Sequence, residues 1–308
     1  MGMTSMDLTG LGCGLAAALL MAAAFAFSTW AIRSVPGLSA PGLLANASCA
    51  MGLLSLAGLA FVWRPGLLAG FWERFPALLG IVGAYWIAQC AVFIAQRKVD
   101  ASQLVPLLGL KLPMLALLNA LLCGSAFNGW QLLSIAVTVA AAFVLNNAGR
   151  HIPLSSFAFL LLGCLFYCLS DMCIQVEVQQ IHARVTPSLP LASAQCTFLT
   201  YILSGIVGAS ILPFGRSMRI RGAMPHSLPY AVCWVSSIVF LTVCFARLGT
   251  VNGNIVQATR GVFAVLLAPV LVCFGLTRLE LRTGWKINLR RLAAAVMMTA
   301  AILIYNLH

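Results

Sequence analysis

TVNGNIVQATRGVFAVLLAPVLVCFGL, residues 250–276, is long and apolar enough to cross a bilayer, yet carries Asn252, Asn254, Gln257 and Arg260 in its first half and Pro269 beyond them. A guanidinium that deep in an apolar helix costs about 3 kcal/mol or more at mid-membrane. Something must make that cost worthwhile. A second stretch, residues 101–122, repeats the arrangement with Gln103, Pro106, Lys111 and Pro113. The two together read as one basic side chain from each half of the chain, aimed into a shared cavity.

The composition sets the solvent. Hydrophobic residues make up 62% of the 308 and charged residues only 8%, against about 25% charged in a soluble domain. Most of the surface must therefore face lipid. The net charge of +12 does not imply nucleic acid, because the bases sit singly or in short clusters between apolar runs. Such bases orient a membrane protein and touch lipid headgroups. The eleven cysteines lie mostly inside apolar runs without a CxxC pair, and read as small apolar side chains rather than a metal site, even where Cys164, Cys168 and Cys173 approach one helical face. His151, His182, His226 and His308 show no metal spacing. No metal and no cofactor are expected. The first apolar run, 11–32, has no base before it and is long enough to span, so it reads as a helix and not a signal peptide. Fifteen arginines against three lysines, with abundant Ala, Gly and Leu, point to a GC-rich bacterial source, and with it to a multi-pass protein of the bacterial inner membrane, the cell membrane.

Apolar runs separated by charges or Pro/Gly breaks predict about ten transmembrane helices, at 11–32, 42–62, 76–96, 101–122, 131–147, 154–174, 191–212, 228–246, 251–276 and 292–307. Only RKVD joins the third to the fourth, and only RLGT the eighth to the ninth. A shift of 149 residues lays Lys98 on Arg247, each in a tight joint, and Lys111 on Arg260, each inside the next helix. Gly129-Trp130-Gln131 likewise resembles Gly284-Trp285-Lys286. The chain thus divides into two five-helix repeats, 1–149 and 150–308. An odd number of spans per repeat makes the copies inverted, with a substrate site expected at the midplane near discontinuous helices.

This pattern resembles the drug/metabolite transporter superfamily, specifically its ten-helix EamA-type proteins. The resemblance covers nearly the whole chain: two five-helix repeats, very short joints before the fourth and ninth helices, and a small-residue or Pro-rich entry to each. It implies an all-α integral membrane fold whose fourth and ninth helices line a central cavity. It also implies that Lys111 and Arg260 match the basic residues with which related plastid phosphate translocators and nucleotide-sugar transporters hold anions. The chain departs from the pattern after the fourth helix, where CGSAFNGW (123–130) lacks the usual acidic residue; after the ninth, Glu280 is its equivalent.

Individual side chains fill in the expected site. Lys111 lies about eleven residues into its helix, between Gly109 and Pro113, with Gln103 two turns earlier on the same face. Pro113 is expected to free the Gly109 carbonyl. Lys111 reads as a point charge for a carboxylate or phosphate, against a lysine that snorkels or pairs with an acid. Arg260 follows Gln257 by three residues and Asn254 by six, and its planar fork suits the same anions. Asp171, with Tyr167 one turn before it, has three functional readings, counter-charge to either base, ligand for a substrate amine, or proton-coupling group, against a hydrated residue near the helix end. Glu177 is expected in the following loop. Tyr85, Trp86 and Gln89 are candidates to floor the cavity, whereas Trp30 and Tyr201 read as interface anchors.

The function expected is secondary transport, and most of all export, of a small organic anion or zwitterion. The runner-up is a lipid or amphipathic-drug exporter or flippase of the same fold. An integral membrane enzyme finds no HExxH, GxSxG, phosphate-binding glycine loop or paired carboxylates, and no ATP-binding motif is present. The partners expected are a small-molecule substrate and membrane lipid, in a monomer or homodimer. Loop bases fall mostly on the side opposite the termini, which places the termini outside; the family resemblance places them in the cytoplasm.

Overall fold

In hydrocarbon every backbone N–H and C=O needs a partner within the protein, and an apolar chain meets that demand most directly by forming helices. The computed structural model describes residues 8–111, 113, 114, 117, 118, 121, 128–146, 152–215, 220, 222–273 and 284–307. Its α-helices are α1 (Leu8–Ser34), α2 (Ala40–Val62), α3 (Phe71–Gln96), α4 (Ala101–Leu107), α5 (Gly129–Asn146), α6 (Leu154–Arg184), α7 (Leu189–Ile211), α8 (Ala223–Ala258), α9 (Arg260–Cys273) and α10 (Trp285–Leu307). There is no strand among the described residues. Among the described residues, six helices are long and apolar enough to cross a membrane: Leu8–Ser34, Ala40–Val62, Phe71–Gln96, Leu154–Arg184, Leu189–Phe214 and Ala223–Cys244. The protein is all-α and membrane-embedded.

Local sequence explains the helix starts. Ser39 caps α2 by accepting the Gly42 N–H at 3.1 Å, with Pro41 in the first turn, where its missing N–H costs nothing. Gly70 (φ 64°) and Gly222 (φ 93°) open α3 and α8 in the left-handed region, which a Cβ would make strained. The joint between α3 and α4 is pinned by two arginines. Arg33 meets Asp100 at 2.6 Å, and Arg97 donates to the Leu38 carbonyl at 2.6 Å.

Helical geometry continues from Ala223 to Ala258, but not along one axis. A Cβ built on Gly14 would lie 2.7 Å from both Cys244 Sγ and Val256 Cγ1. Twelve residues of straight helix would hold those two about 18 Å apart. Ser237 also bonds the Ala17 carbonyl, while Gln257 reaches Met21 only one turn further along α1. The chain therefore reverses between Cys244 and Val256, around RLGT.

The main helix contacts among the described residues are α1 on α8, α3 on α6, α2 on α7, α5 on α10, α2 on α8 and α4 on α9. Moving every helix five places along the chain maps all of these pairs except α2 on α8 onto one another. The α2–α7 crossing is glycine on glycine: a Cβ on Gly205 would sit 2.9 Å from Gly52 Cα, and one on Gly208 2.7 Å from the Ala45 carbonyl oxygen. Close backbone approach through small residues is how helices associate where lipid removes the hydrophobic drive. Gly205→Val should accordingly lower the thermal midpoint of the detergent-solubilised protein, by an overpacking cost of about 1–3 kcal/mol. Gly12→Ala, where an added Cβ meets nothing within 4 Å, should leave it unchanged. Equal midpoints for the two variants would refute this account of the crossing.

One boundary is corrected. α6 runs to Arg184, so Glu177 lies in a helix and not in a loop. It is wholly buried there, which only its ion pair with Arg74 makes tolerable.

Candidate functional site

Both expected basic residues follow a break in their helix. α4 gives way to a 3-10 turn at Leu108–Leu110, and the Lys111 N–H caps it by bonding the Gly109 and Leu108 carbonyls. The Gly109 carbonyl, expected to be free, is therefore occupied: the tighter turn recruits it before Pro113 can release it. On the other side Thr259 interrupts the helix between Ala258 and Arg260, and its hydroxyl donates to the Val256 carbonyl at 2.6 Å. That bond competes with the regular ladder. The 149-residue shift lays Leu110 on Thr259, so the two breaks are equivalent by sequence as well.

The breaks face each other. A Cβ on Gly261 would lie 3.1 Å from Pro106 Cα, so a larger residue there would push α9 away from α4 by a few tenths of an ångström. Between them Val105, Pro106, Gly109, Ala258, Arg260 and Gly261 bound a cavity of about 30 Å³, room for one or two waters. Arg260 is a wall of it.

The two bases are held very differently. Lys111 makes an ion pair with Asp171 and stands 5.8 Å over the Tyr167 ring. The Tyr167 hydroxyl in turn donates to Gln89 Oε1, and Cys168 Sγ lies 3.2 Å from the Lys111 carbonyl oxygen. Arg260 has no carboxylate within ion-pair distance among the described residues. Its Nη1 donates to Met21 Sδ at 3.1 Å, and Gln257 Nε2 points to the same sulfur at 3.7 Å. A thioether is a weak acceptor, and a guanidinium has five N–H donors to place. Cys164, Tyr167 and Asp171 on α6 are within electrostatic range of Arg260, so one face of α6 borders both bases.

Other expected residues are dispersed. Gln103 is buried on α4, and the Asn254 side chain lies outside the described residues, as does Glu280. Tyr85 is buried in an aromatic cluster, its ring centroid 6.0 Å from Tyr201 and 6.2 Å from Trp234, with its hydroxyl 3.4 Å from that of Tyr230. Trp86 donates to Ser204 at 2.9 Å, and Ser204 to Ser48 at 3.1 Å, beside the α2–α7 glycine crossing. Neither lines the small cavity. Tyr201, read as an interface anchor, is instead buried and accepts the Trp234 indole N–H at 2.6 Å. Trp30 stacks on His226 with centroids 4.7 Å apart.

Sequence reasoning missed two buried arginines. Arg74 and Glu177 meet at 2.6 Å with both side chains fully buried, and Arg74 also bonds the Leu67 carbonyl. Arg291 donates to Ser102 at 2.6 Å, at the start of α4. Both lie near the ends of apolar runs, where a base reads as a headgroup contact. A cue was the lone Glu177 in the polar stretch that continues α6, which needed a cation close by.

No family model matches the chain, and no curated protein matches it. One solved crystal structure of a protein aligns over 95% of this chain and 95% of its own length, with a TM-score of 0.55 and 17% sequence identity. At that identity the likeness speaks for the fold alone.

Proposed function

We propose that the protein is a secondary transporter that carries a small organic anion or zwitterion by alternating access about the α4–α9 crossing. The observation that carries this reading is Arg260: a guanidinium at a helix break, beside a cavity, with a thioether as its acceptor. Such an arrangement suits a cycle in which an anion brings stronger acceptors to the guanidinium. The five-place permutation of the helix contacts supports two inverted five-helix repeats with ten membrane crossings. It also suits the resemblance to the drug/metabolite transporters. We further read the protein as a non-enzyme of the bacterial cell membrane, driven by a gradient or by exchange, and working as an exporter.

The charges suggest how much anion the site takes. Asp171 compensates Lys111, which leaves the single charge of Arg260 for the substrate. A monoanion fits, and so does a zwitterion whose ammonium competes with Lys111 for Asp171. The test is uptake of a metabolite panel into proteoliposomes, with and without a pH gradient. Carriage of neutral or cationic compounds alone would overturn the reading. Asp171→Asn would free Lys111 and double the uncompensated charge. The ratio of dianion to monoanion uptake should then rise about tenfold, the equivalent of ~1.4 kcal/mol. An unchanged ratio would remove Asp171 from the site.

The second reading, an exporter of amphipathic molecules or lipid, gains support from an apolar groove that begins at Met114, one turn beyond Lys111.

A further inference from the structure

We infer that the substrate is an amphipathic anion, with its head at Lys111 and Arg260 and its apolar tail in a groove between α6 and residues 114–121. This rests on the anion reading above and names the class of anion.

The groove has a volume of about 440 Å³ and, among the described residues, is walled by apolar side chains, with Met114, Leu118 and Leu121 on one side and Leu161, Leu162 and Leu165 on the other. That volume lies within the range of about 300–1,000 Å³ typical of ligand sites. Its register is set by the contact of Cys168 Sγ with the Lys111 carbonyl at 3.2 Å. From there α6 and the segment after Lys111 run antiparallel, so that Leu165 and Met114 each come one turn from the Cys168–Lys111 contact and Ala158 and Leu121 lie at the far end. Ten residues of α6 separate Cys168, at the Lys111 carbonyl, from Ala158 at the far end of the groove, about 15 Å, the length of a medium acyl chain.

The charged end of the groove argues against a purely apolar occupant. The Lys111 and Asp171 side chains are 25% and 41% exposed. Charged groups facing hydrocarbon are costly, so intramembrane ions turn to water, to each other or to a polar ligand. A lipid tail filling the groove to its end would press methylenes against this pair. A small hydrophilic anion would satisfy the pair and leave the groove unused. An anionic head with a single tail does both. The sign follows from Arg260, since Asp171 already balances Lys111 and a cationic amphipath would meet an uncompensated guanidinium.

The experiment uses the full chain in lipid nanodiscs and two probes, butyl phosphate and dodecyl phosphate, the latter also in a form with a diazirine at its tail end. Saturable photolabelling of residues 114–121 and 158–165 is expected. Unlabelled dodecyl phosphate should compete at a concentration about tenfold or more below that of butyl phosphate, because its extra methylenes are buried. Arg260→Gln should abolish the binding of both. Leu117→Trp and Leu162→Trp fill the groove from its exposed rim. They should weaken dodecyl phosphate about tenfold by taking the space its methylenes bury, while unchanged butyl phosphate binding certifies the fold. Butyl phosphate binding through Arg260 without any advantage for the longer tail, or unsaturable labelling spread over lipid-facing helices, overturns the amphipath and leaves the anion reading standing. Binding of both probes that ignores Arg260→Gln overturns both.

Discussion

Replacing Arg260 by glutamine should lower substrate uptake about a hundredfold or more while leaving the folded protein at least as stable as before. The first half follows from the loss of a desolvated charge partner, which in comparable buried pairs costs about 2–5 kcal/mol. The second half separates a binding residue from a structural one. Arg260 lines the cavity, and Met21 Sδ is its acceptor. Among the described residues, removing the guanidinium therefore breaks one weak hydrogen bond, and it relieves the cost of holding a charge at membrane depth. A structural arginine would show the opposite pattern, with a fall in thermal midpoint as its main effect. Arg260→Lys should retain part of the uptake, since it keeps the charge and loses the planar fork. Uptake by Arg260→Gln at the wild-type rate would remove the basis of the proposed function.

The second large effect concerns Arg74 and Glu177. Their contact at 2.6 Å joins α3 to α6 with both side chains fully buried. Glu177 Oε2 and Arg74 Nε have no hydrogen-bond partner among the described residues, and neither does Gln195 Oε1. Glu177→Ala would leave Arg74 buried with only the Leu67 carbonyl. The expected destabilisation is about 3–5 kcal/mol, the usual result of orphaning one member of a buried pair. The double variant Arg74→Met/Glu177→Met should recover most of that loss, because it removes both charges at nearly constant volume. Thermal melts of the three proteins in detergent decide it. A single variant as stable as wild type, or a double variant no better than the single, would contradict the pair's assigned role.

These cases mark how far the sequence could be read. Apolar run length and scarcity of charge are local properties, and they predicted a helical membrane protein. The α4 and α9 bases stood out because Lys111 and Arg260 are the charges farthest inside their runs. The joints RKVD and RLGT marked where the chain reverses, and the contact of Gly14 with both Cys244 and Val256 is such a reversal. The α6 boundary was misjudged, because the stretch after Ile174 is polar enough to read as a loop while Arg74 stands 103 residues away. Tyr201 was misread for a similar reason. Its place near the middle of the apolar run spoke against an interface position, and its partner Trp234 stands 33 residues away.

By itself, then, the sequence determined that this chain is helical, lies in a membrane and carries two bases where lipid tolerates none without cause. The tertiary structure decided which base is answered. Among the described residues Lys111 finds Asp171 on α6, whereas Arg260 finds the sulfur of Met21 on α1 and no carboxylate within ion-pair distance. The physical reason is that these helices are apolar around most of their circumference. An amphipathic stripe fixes how a soluble helix is rotated against its neighbours, and without one the rotation is set by glycine crossings and by a few polar contacts between distant residues.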